Sequence, residues 1–523
     1  MRFNRLCCVL FLLYFCRPAN SASILALFSS LSFSDHAVFR GFVSLLTQKG
    51  HSVVMMTPYP GQFQYPDIER IVELDVGGES AQFWNEYKSL ITNTDDYFPR
   101  QRAINELLLK IVIAQLKSKH MMALLVNSRI KFDLVITEAD VPALYAIADK
   151  YQAPHIAITT SSGKIHHHEA KGNPINPILY LDVNSLNNGR NMTRWQKINE
   201  FHRLIRTRNE YYYHYLPLSE LAAQKFFGLQ RSLLDVENDI DFLFIASNPI
   251  LDGNRPSVPA VIHVDRMHIK PLGHLPQDLQ ADLDAATKGA VYFCLGAMQE
   301  PEQLAPKILQ TLVETFSELP YKVFWRIGNT TTINLPSNVV AKPWFPQQEL
   351  LAHPNVKAFI TSGGPRSLEE AVFYKVPLVG FPLLKPRKNF IAQITKLGAG
   401  EIVDPYQLEK ETFKSTIIEV ATNESYKNAI SSLKDKVFDP MISGPENAVW
   451  WTEYLLRHKT AKHLRSPAAG VGFVKYFMLD IIFYVTIGSI VIMYLTFIII
   501  SAIVRRLYVR FNKVESESKF KIL

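Results

Sequence analysis

The hydrophobic positions of this chain fall into short solid blocks separated by amphipathic stretches. The block SILALFSS (Ser23–Ser30) is apolar almost throughout and reads as a strand. A turn, LSFSD, follows. Then a helical pattern runs from His36 to Lys49, closed by Gly50, with Val38, Phe39, Phe42, Leu45 and Leu46 on one face. HSVVMMTP reads as a second strand, and a strand, helix and strand on short links predict a right-handed parallel unit. The order returns in FDLVITEA (strand), VPALYAIADKY (helix) and APHIAITTS (strand). In the second half, GAVYFCLG, YKVFWRIG, NVVAKPWF, VKAFITSGG and VPLVGFP read as strands, and PKILQTLVETFSEL as a helix. The predicted class is α/β: two doubly wound Rossmann-like domains, 23–266 and 289–465, facing each other across a cleft. They are joined by a linker at 267–288, where Pro, Gly, Asp and Gln cluster.

The two ends depart from this rhythm. Arg2 and Arg5 precede an apolar run, Leu6–Phe15, and the small residues of RPANSAS follow, which predicts a signal peptide over 1–22. From Ile481 to Val504 there is no charged residue, enough to cross a bilayer core of about 30 Å. A transmembrane helix is expected over 478–504 and a cytosolic tail over 505–523, since Arg505, Arg506, Arg510 and Lys513 follow at once. The final KFKIL has lysines third and fifth from the end, the pattern of a retrieval signal for the endoplasmic reticulum. A single-pass type I protein of that membrane, with its bulk in the lumen, is the expectation.

Composition changes this picture little. The net charge of +8 is spread along the 523 residues and no basic run is interleaved with aromatics, which argues against a nucleic-acid partner. Cys7, Cys8 and Cys16 lie in the expected signal peptide, leaving Cys294 alone. Asn191, Asn329 and Asn423 open N-x-S/T sequons, candidate glycan sites in a lumenal protein. YYYHY (Tyr211–Tyr215) and FWNEY (Phe83–Tyr87) fit core helices or the lining of a lipophilic ligand site. The adjacent His166, His167 and His168 lack the i, i+4 spacing of a helical zinc site, so no metal is expected.

Three stretches carry candidate chemistry. In SDH, Ser34 or Asp35 suits a helix cap, and His36 then lies near the positive helix end, which disfavours imidazolium. A neutral imidazole at a strand's carboxyl end is a candidate general base, with Glu138 its candidate orienting partner; a capped helix start with a surface histidine fits the same residues. In KPWFPQQELLAHPNV, Trp344 is pinned by Pro343 and Pro346 as a stacking surface, with Gln347 beside it. In AFITSGGPRSLEEA, Gly363 and Gly364 allow close backbone approach, Pro365 suits a first helical position, and Ser367 and Glu370 share a face. A phosphate at this helix start is physically reasonable, and so is a plain glycine turn.

Taken together, WFPQQELLAHPNVKAFITSGG, GNPINP (Gly172–Pro177), AVWWTEYLLRHKTAKHLRSPAA and the single C-terminal anchor resemble the UDP-glycosyltransferases, in particular the membrane-bound animal UDP-glucuronosyltransferases. The resemblance implies a GT-B fold and inverting, metal-independent transfer from a UDP-sugar to a lipophilic acceptor hydroxyl, with the UDP-sugar a co-substrate and no cofactor. It assigns the base to His36 and the orienting acid to Glu138. It also assigns uracil stacking to Trp344 with Gln347, phosphate binding to Gly363, Gly364 and Ser367, and ribose binding to Glu370. Three departures stand out: the family's loop histidine is Ser362, its Gly-Ser turn is Gly296–Ala297, and its Asp-Gln pair is Pro386–Arg387. Arg366, Lys385 and Arg387 add positive charge there. Arg366 is expected to take the lost histidine's place on the diphosphate, and Arg387 to pair with an anionic sugar. The competing expectation is a non-catalytic, membrane-anchored member that binds lipophiles or partners an active relative. Homo- and hetero-oligomers are both left open.

Overall fold

The computed structural model describes residues 21–62, 68–92, 96–180, 185, 192–296, 299, 304–328 and 333–520. Residues 1–20 of the expected signal peptide (1–22), the candidate glycan sites Asn191 and Asn329, and Ala297 lie outside the described residues. Residues 1–469 form one compact unit and residues 470–523 a second.

The first unit holds two all-parallel sheets. Seven strands make the first: β1 (Ser23–Leu27), β2 (Ser52–Thr57), β3 (Ile71–Asp75), β4 (Leu134–Glu138), β5 (His155–Thr159), β6 (Phe242–Ile245) and β7 (Val261–His263), in the order β3-β2-β1-β4-β5-β6-β7. The second has six: β8 (Ala290–Cys294), β9 (Lys322–Arg326), β10 (Val339–Lys342), β11 (Val356–Thr361), β12 (Leu378–Gly380) and β13 (Gly400–Ile402), in the order β10-β9-β8-β11-β12-β13. In each sheet the strand order reverses beside the first strand. Such switch points leave a crevice at the carboxyl ends of the strands.

Helices cover both faces of both sheets, which is why the strands read as solid apolar blocks rather than alternating ones. The alternation reappears in the packing. Leu25 and Leu27 of β1 enter one core cluster, Ile24 and Ala26 the other. In β8, Tyr292 and Cys294 face one layer and Val291 and Phe293 the opposite one. β3, β6, β7 and β13 went unread in the sequence; β3, β7 and β13 are sheet edges, and β6 adjoins one.

Two segments cross the expected domain boundaries. The expected linker contains a helix, Gln277–Asp284, whose Leu279 and Leu283 belong to the core of the second sheet. The helix Gly444–His458, drawn with the second domain from sequence, buries Ala448 and Leu455 in the core of the first sheet, with Trp451 against Phe242 at 5.2 Å. Its amphipathic pattern was legible; the sheet it would cover was not.

In the second unit, a helix runs from Leu479 to Phe520, and its stretch Leu479–Asn512 is long and apolar enough to cross a membrane.

Truncating the fully buried Leu455 to alanine should cost about 2–5 kcal/mol through lost burial and a residual cavity. The helix assignment predicts where the loss falls. In Leu455→Ala, amide exchange in β1 and β7 should accelerate while β8 and β11 keep their protection; uniform acceleration would contradict the assignment.

Candidate active site

The cleft is set by the loop that leaves β1. Glu138, the last residue of the neighbouring β4, turns its Oε2 to that loop and accepts the backbone N–H groups of Ser29 (3.0 Å) and Ser30 (2.9 Å). Two residues on, the Ser32 side chain caps the helix Phe33–Gln48, accepting from Asp35 N. The helix thus begins three residues before the expected start, and neither Ser34 nor Asp35 is its cap.

That start fixes the phase of everything after it. His36, Phe39, Arg40 and Val43 are spaced i, i+3, i+4, i+7, and all four are buried. His36 consequently does not project into the cleft as expected. It is fully buried, with Nε2 2.7 Å from Ser30 O, Nδ1 3.3 Å from Thr57 Oγ1, and Phe28 and Phe39 edge-on. Burial pushes its pKa down to about 3, with the nearby Arg40 adding to the effect and the Ser30 carbonyl opposing it. Nor does Glu138 touch the ring: it holds the N–H of Ser30 while His36 meets the C=O of the same residue. Burial, helped by Asp140, raises Glu138 to about 8 against the pull of its two backbone donors.

The residue that faces the cleft is Asp35. It lines a cavity of about 490 Å³ between the two sheets. Burial raises its pKa; the Thr160 and Ser32 hydroxyls and the Arg366 guanidinium pull it back, and Asp140 adds to the rise. The first domain also contributes Phe33, Ala37, Tyr87 and Ile91, an apolar wall. Tyr87 is the one residue of FWNEY in this lining. Of YYYHY, Tyr211 and Tyr215 are core residues.

The second domain supplies the polar wall. Trp344 is 55% exposed and meets Phe33 edge-on at 5.2 Å, which leaves a ring face for a ligand. Gln347 opens the next helix and donates from Nε2 to Ser367 Oγ (3.2 Å) and Glu370 Oε2 (2.6 Å). Glu370 Oε1 accepts from Gln348 Nε2 at 2.9 Å. Burial lifts Glu370 to about 7 while these two amides oppose it. Gly363, at φ 84°, turns the chain out of β11 so that Gly364 caps the helix Pro365–Phe373. A Cβ at Gly363 would lie 2.6 Å from the Ile391 side chain, so only glycine fits both the turn and the space. Trp344, Gln347, Ser362, Gly364, Arg366, Ser367, Glu370 and Arg387 all line the one cavity, and Gly363 adjoins it.

The two arginines are not where expected. Arg366 pairs with Glu369 at 3.1 Å and reaches across the cleft to donate to Thr160 O at 2.7 Å. It joins the domains rather than replacing the lost histidine. Arg387 stands at the Ser362 loop instead, 2.5 Å from Ser362 Oγ.

Other candidates fall elsewhere. His167 and His168 bond backbone carbonyls of Ala139 (2.8 Å) and Ser162 (3.0 Å) within the first domain. Asn423 is exposed and caps the helix Glu424–Val437, its Nδ2 donating to Glu419.

Comparison with known proteins gives the family and the fold. The family model described as UDP-glucoronosyl and UDP-glucosyl transferase matches residues 24–516. The chain belongs to the UDP-glycosyltransferase family. It is 30% identical over 502 residues to an ecdysteroid UDP-glucosyltransferase of Spodoptera littoralis nuclear polyhedrosis virus, covering 90% of this chain and 95% of the relative. It is 30% identical over 490 residues to UDP-glucosyltransferase 2 of Dactylopius coccus, covering 90% of each. Among solved structures, the glycosyltransferase VinC in complex with DTDP aligns over 84% of this chain and 99% of its own, with TM-score 0.56 and 17% identity. The fold is GT-B, and the chain is a glycosyltransferase by family and fold.

Asp35 and Thr160 are cleft residues that sequence reasoning missed. For Asp35 the helical period carried no signal, since it is in phase with the buried Val38, Phe39 and Phe42 as His36 is with Phe39 and Val43. Thr160 carried none either.

Glu138 yields a prediction about this UDP-glycosyltransferase that is independent of substrate. Glu138→Gln keeps an oxygen for Ser29 and Ser30 and should melt close to the wild type. Glu138→Ala leaves two buried donors unpaired, at about 1–3 kcal/mol each. Because the folded pKa of about 8 lies above the unfolded value, the stability contributed by protonated Glu138 is complete below the ordinary glutamate value of 4.5. It is lost as pH rises through about 8. Thermal melts of Glu138→Gln across that window should show a flatter pH dependence than the wild type.

Proposed function

We propose that this glycosyltransferase moves a glycosyl group from a UDP-sugar to the hydroxyl of a small lipophilic acceptor, with inversion, and that Asp35 is its general base. One observation carries the reading. A single carboxylate side chain, Asp35, lines the cavity on the first-domain side, amid the apolar wall of Phe33, Tyr87 and Ile91 and opposite the polar wall of Gln347, Ser367 and Glu370.

In this reading, Trp344 stacks on the uracil, Gln347 and Glu370 meet the base edge and ribose, and the acceptor lies along the first-domain wall. Its hydroxyl proton passes to the Asp35 carboxylate as its oxygen bonds to the anomeric carbon. The bond from that carbon to the β-phosphate oxygen breaks on the opposite face, and the electron pair leaves with UDP. Attack opposite the leaving group inverts the configuration. The step as written uses no metal ion. A carboxylate raised by burial and screened from bulk water is a stronger base than an exposed one, which suits this role. Arg366, anchored on Thr160, helps keep Asp35 ionised. The long apolar helix near the C-terminus and the arginines after it support a type I placement in the endoplasmic reticulum membrane, with the cleft in the lumen.

The test compares neighbours. The full chain in membranes, given a panel of UDP-sugars and lipophilic alcohols and phenols, should release UDP and form glycoside. Asp35→Asn should lower turnover by roughly 10²–10⁴-fold, the usual weight of general-base catalysis, with UDP affinity retained. Activity should fall with decreasing pH at a midpoint above the ordinary aspartate range, because the base must be ionised. Retained turnover in Asp35→Asn would sink the assignment. UDP binding without any turnover in the wild type would favour the non-catalytic reading.

A further inference from the structure

Three arginines line the cavity, and they are not equivalent. Arg326 is committed to backbone, donating from Nη1 to Gly296 O at 2.8 Å and from Nε to Pro343 O at 3.2 Å. Arg366 is committed to Glu369 and to Thr160 O. Arg387, in the first turn of the helix Lys385–Lys396, has only neutral partners: Ser362 Oγ at 2.5 Å and Gln299 Oε1 at 3.4 Å, both through Nη1. Among the described residues no carboxylate pairs with it, and its Nε and Nη2 make no hydrogen bond.

The serine is what holds the guanidinium there. Ser362 donates its own hydroxyl proton to Leu295 O at 2.7 Å, so its oxygen is left to accept from Arg387. A histidine at 362 would fill the space between Arg387 and Gly296, whose Cβ position lies 3.8 Å from Arg387 Nη1 and 3.9 Å from Ser362 Oγ. Desolvation already lowers the pKa of Arg387 to about 10. A partly buried cation without a counter-charge is stabilised when an anion joins it. Around it stand Gly296, Gly364 and the N-terminus of the helix Pro365–Phe373, all on the cavity wall. A guanidinium fork with free donors beside exposed backbone suits a phosphate better than a sugar hydroxyl.

We propose that Arg387, seated on Ser362, is the diphosphate anchor of the donor site and not a contact to the sugar. This rests on the UDP-sugar reading above and replaces the expectation that Arg387 selects an anionic sugar. Since the charge is spent on the leaving group, uncharged and anionic sugar donors are held with similar strength.

Binding of uridine, UDP, UDP-glucose and UDP-glucuronate to the full chain in detergent, followed by calorimetry, separates the possibilities. Arg387→Gln should weaken UDP and both UDP-sugars alike, on the order of tenfold to a hundredfold. Uridine affinity should be unchanged, which also shows that the variant is folded. Ser362→Ala should weaken UDP less, and the double variant should match Arg387→Gln alone, because the serine acts through the arginine. Unchanged UDP affinity in Arg387→Gln, or a loss confined to UDP-glucuronate, would overturn the proposal while leaving the donor site standing. Failure of the wild type to bind uridine or UDP would remove the donor-site reading itself.

Discussion

The cleft depends on one carboxyl oxygen that accepts two backbone N–H groups. Glu138 at the end of β4 holds Ser29 and Ser30 as the chain leaves β1, and the Ser32 cap follows within one turn. A helix repeats every 3.6 residues, so its starting residue dictates which side chains face inward along its whole length. With the start at Phe33, His36 falls on the stripe that packs against Phe28 and Phe39, and Asp35 falls on the cavity wall. Glu138 therefore acts on the active site through backbone geometry, not as an orienting partner of an imidazole.

The same logic of uncompensated charge divides the cleft. Asp35 on the first-domain wall is raised by burial, yet it has Thr160 and Arg366 close by to favour its ionised form. Glu370 is raised to about 7 while amides of Gln347 and Gln348 occupy both its oxygens. Arg366 is balanced by Glu369 and serves to bring the domains together. Arg387 is balanced by nothing among the described residues, which is why it stands out as the place for an anion. Of the two arginines that the sequence adds near the Ser362 loop, Arg366 bridges the cleft to Thr160 O and Arg387 rests on Ser362 Oγ.

Much of this was legible before the structure. The apolar blocks located β1, β2, β4, β5 and five of the six strands of the second sheet, because strands covered on both faces cannot hide their composition. The glycine pair at 363–364 and the proline at 365 marked a turn into a helix, and φ 84° at Gly363 bears out the reason. The edge strands were less legible, since a three-residue strand such as Val261–His263 carries no period of its own.

By itself, then, the sequence determined the fold class, the two-sheet plan, the apolar C-terminal helix and the family, all of which rest on local composition and on motifs a few residues long. The tertiary structure decided which neighbour of a pair faces the ligand, which arginine meets which partner, and that the helix Gly444–His458 returns to the first sheet. Each of those depends on contacts across long sequence separations: Glu138 to Ser30, Arg366 to Thr160, Trp451 to Phe242. Local pattern tells a residue what kind of neighbour it needs. Only the packed chain, where burial sets the cost of every unpaired charge, settles which neighbour it has.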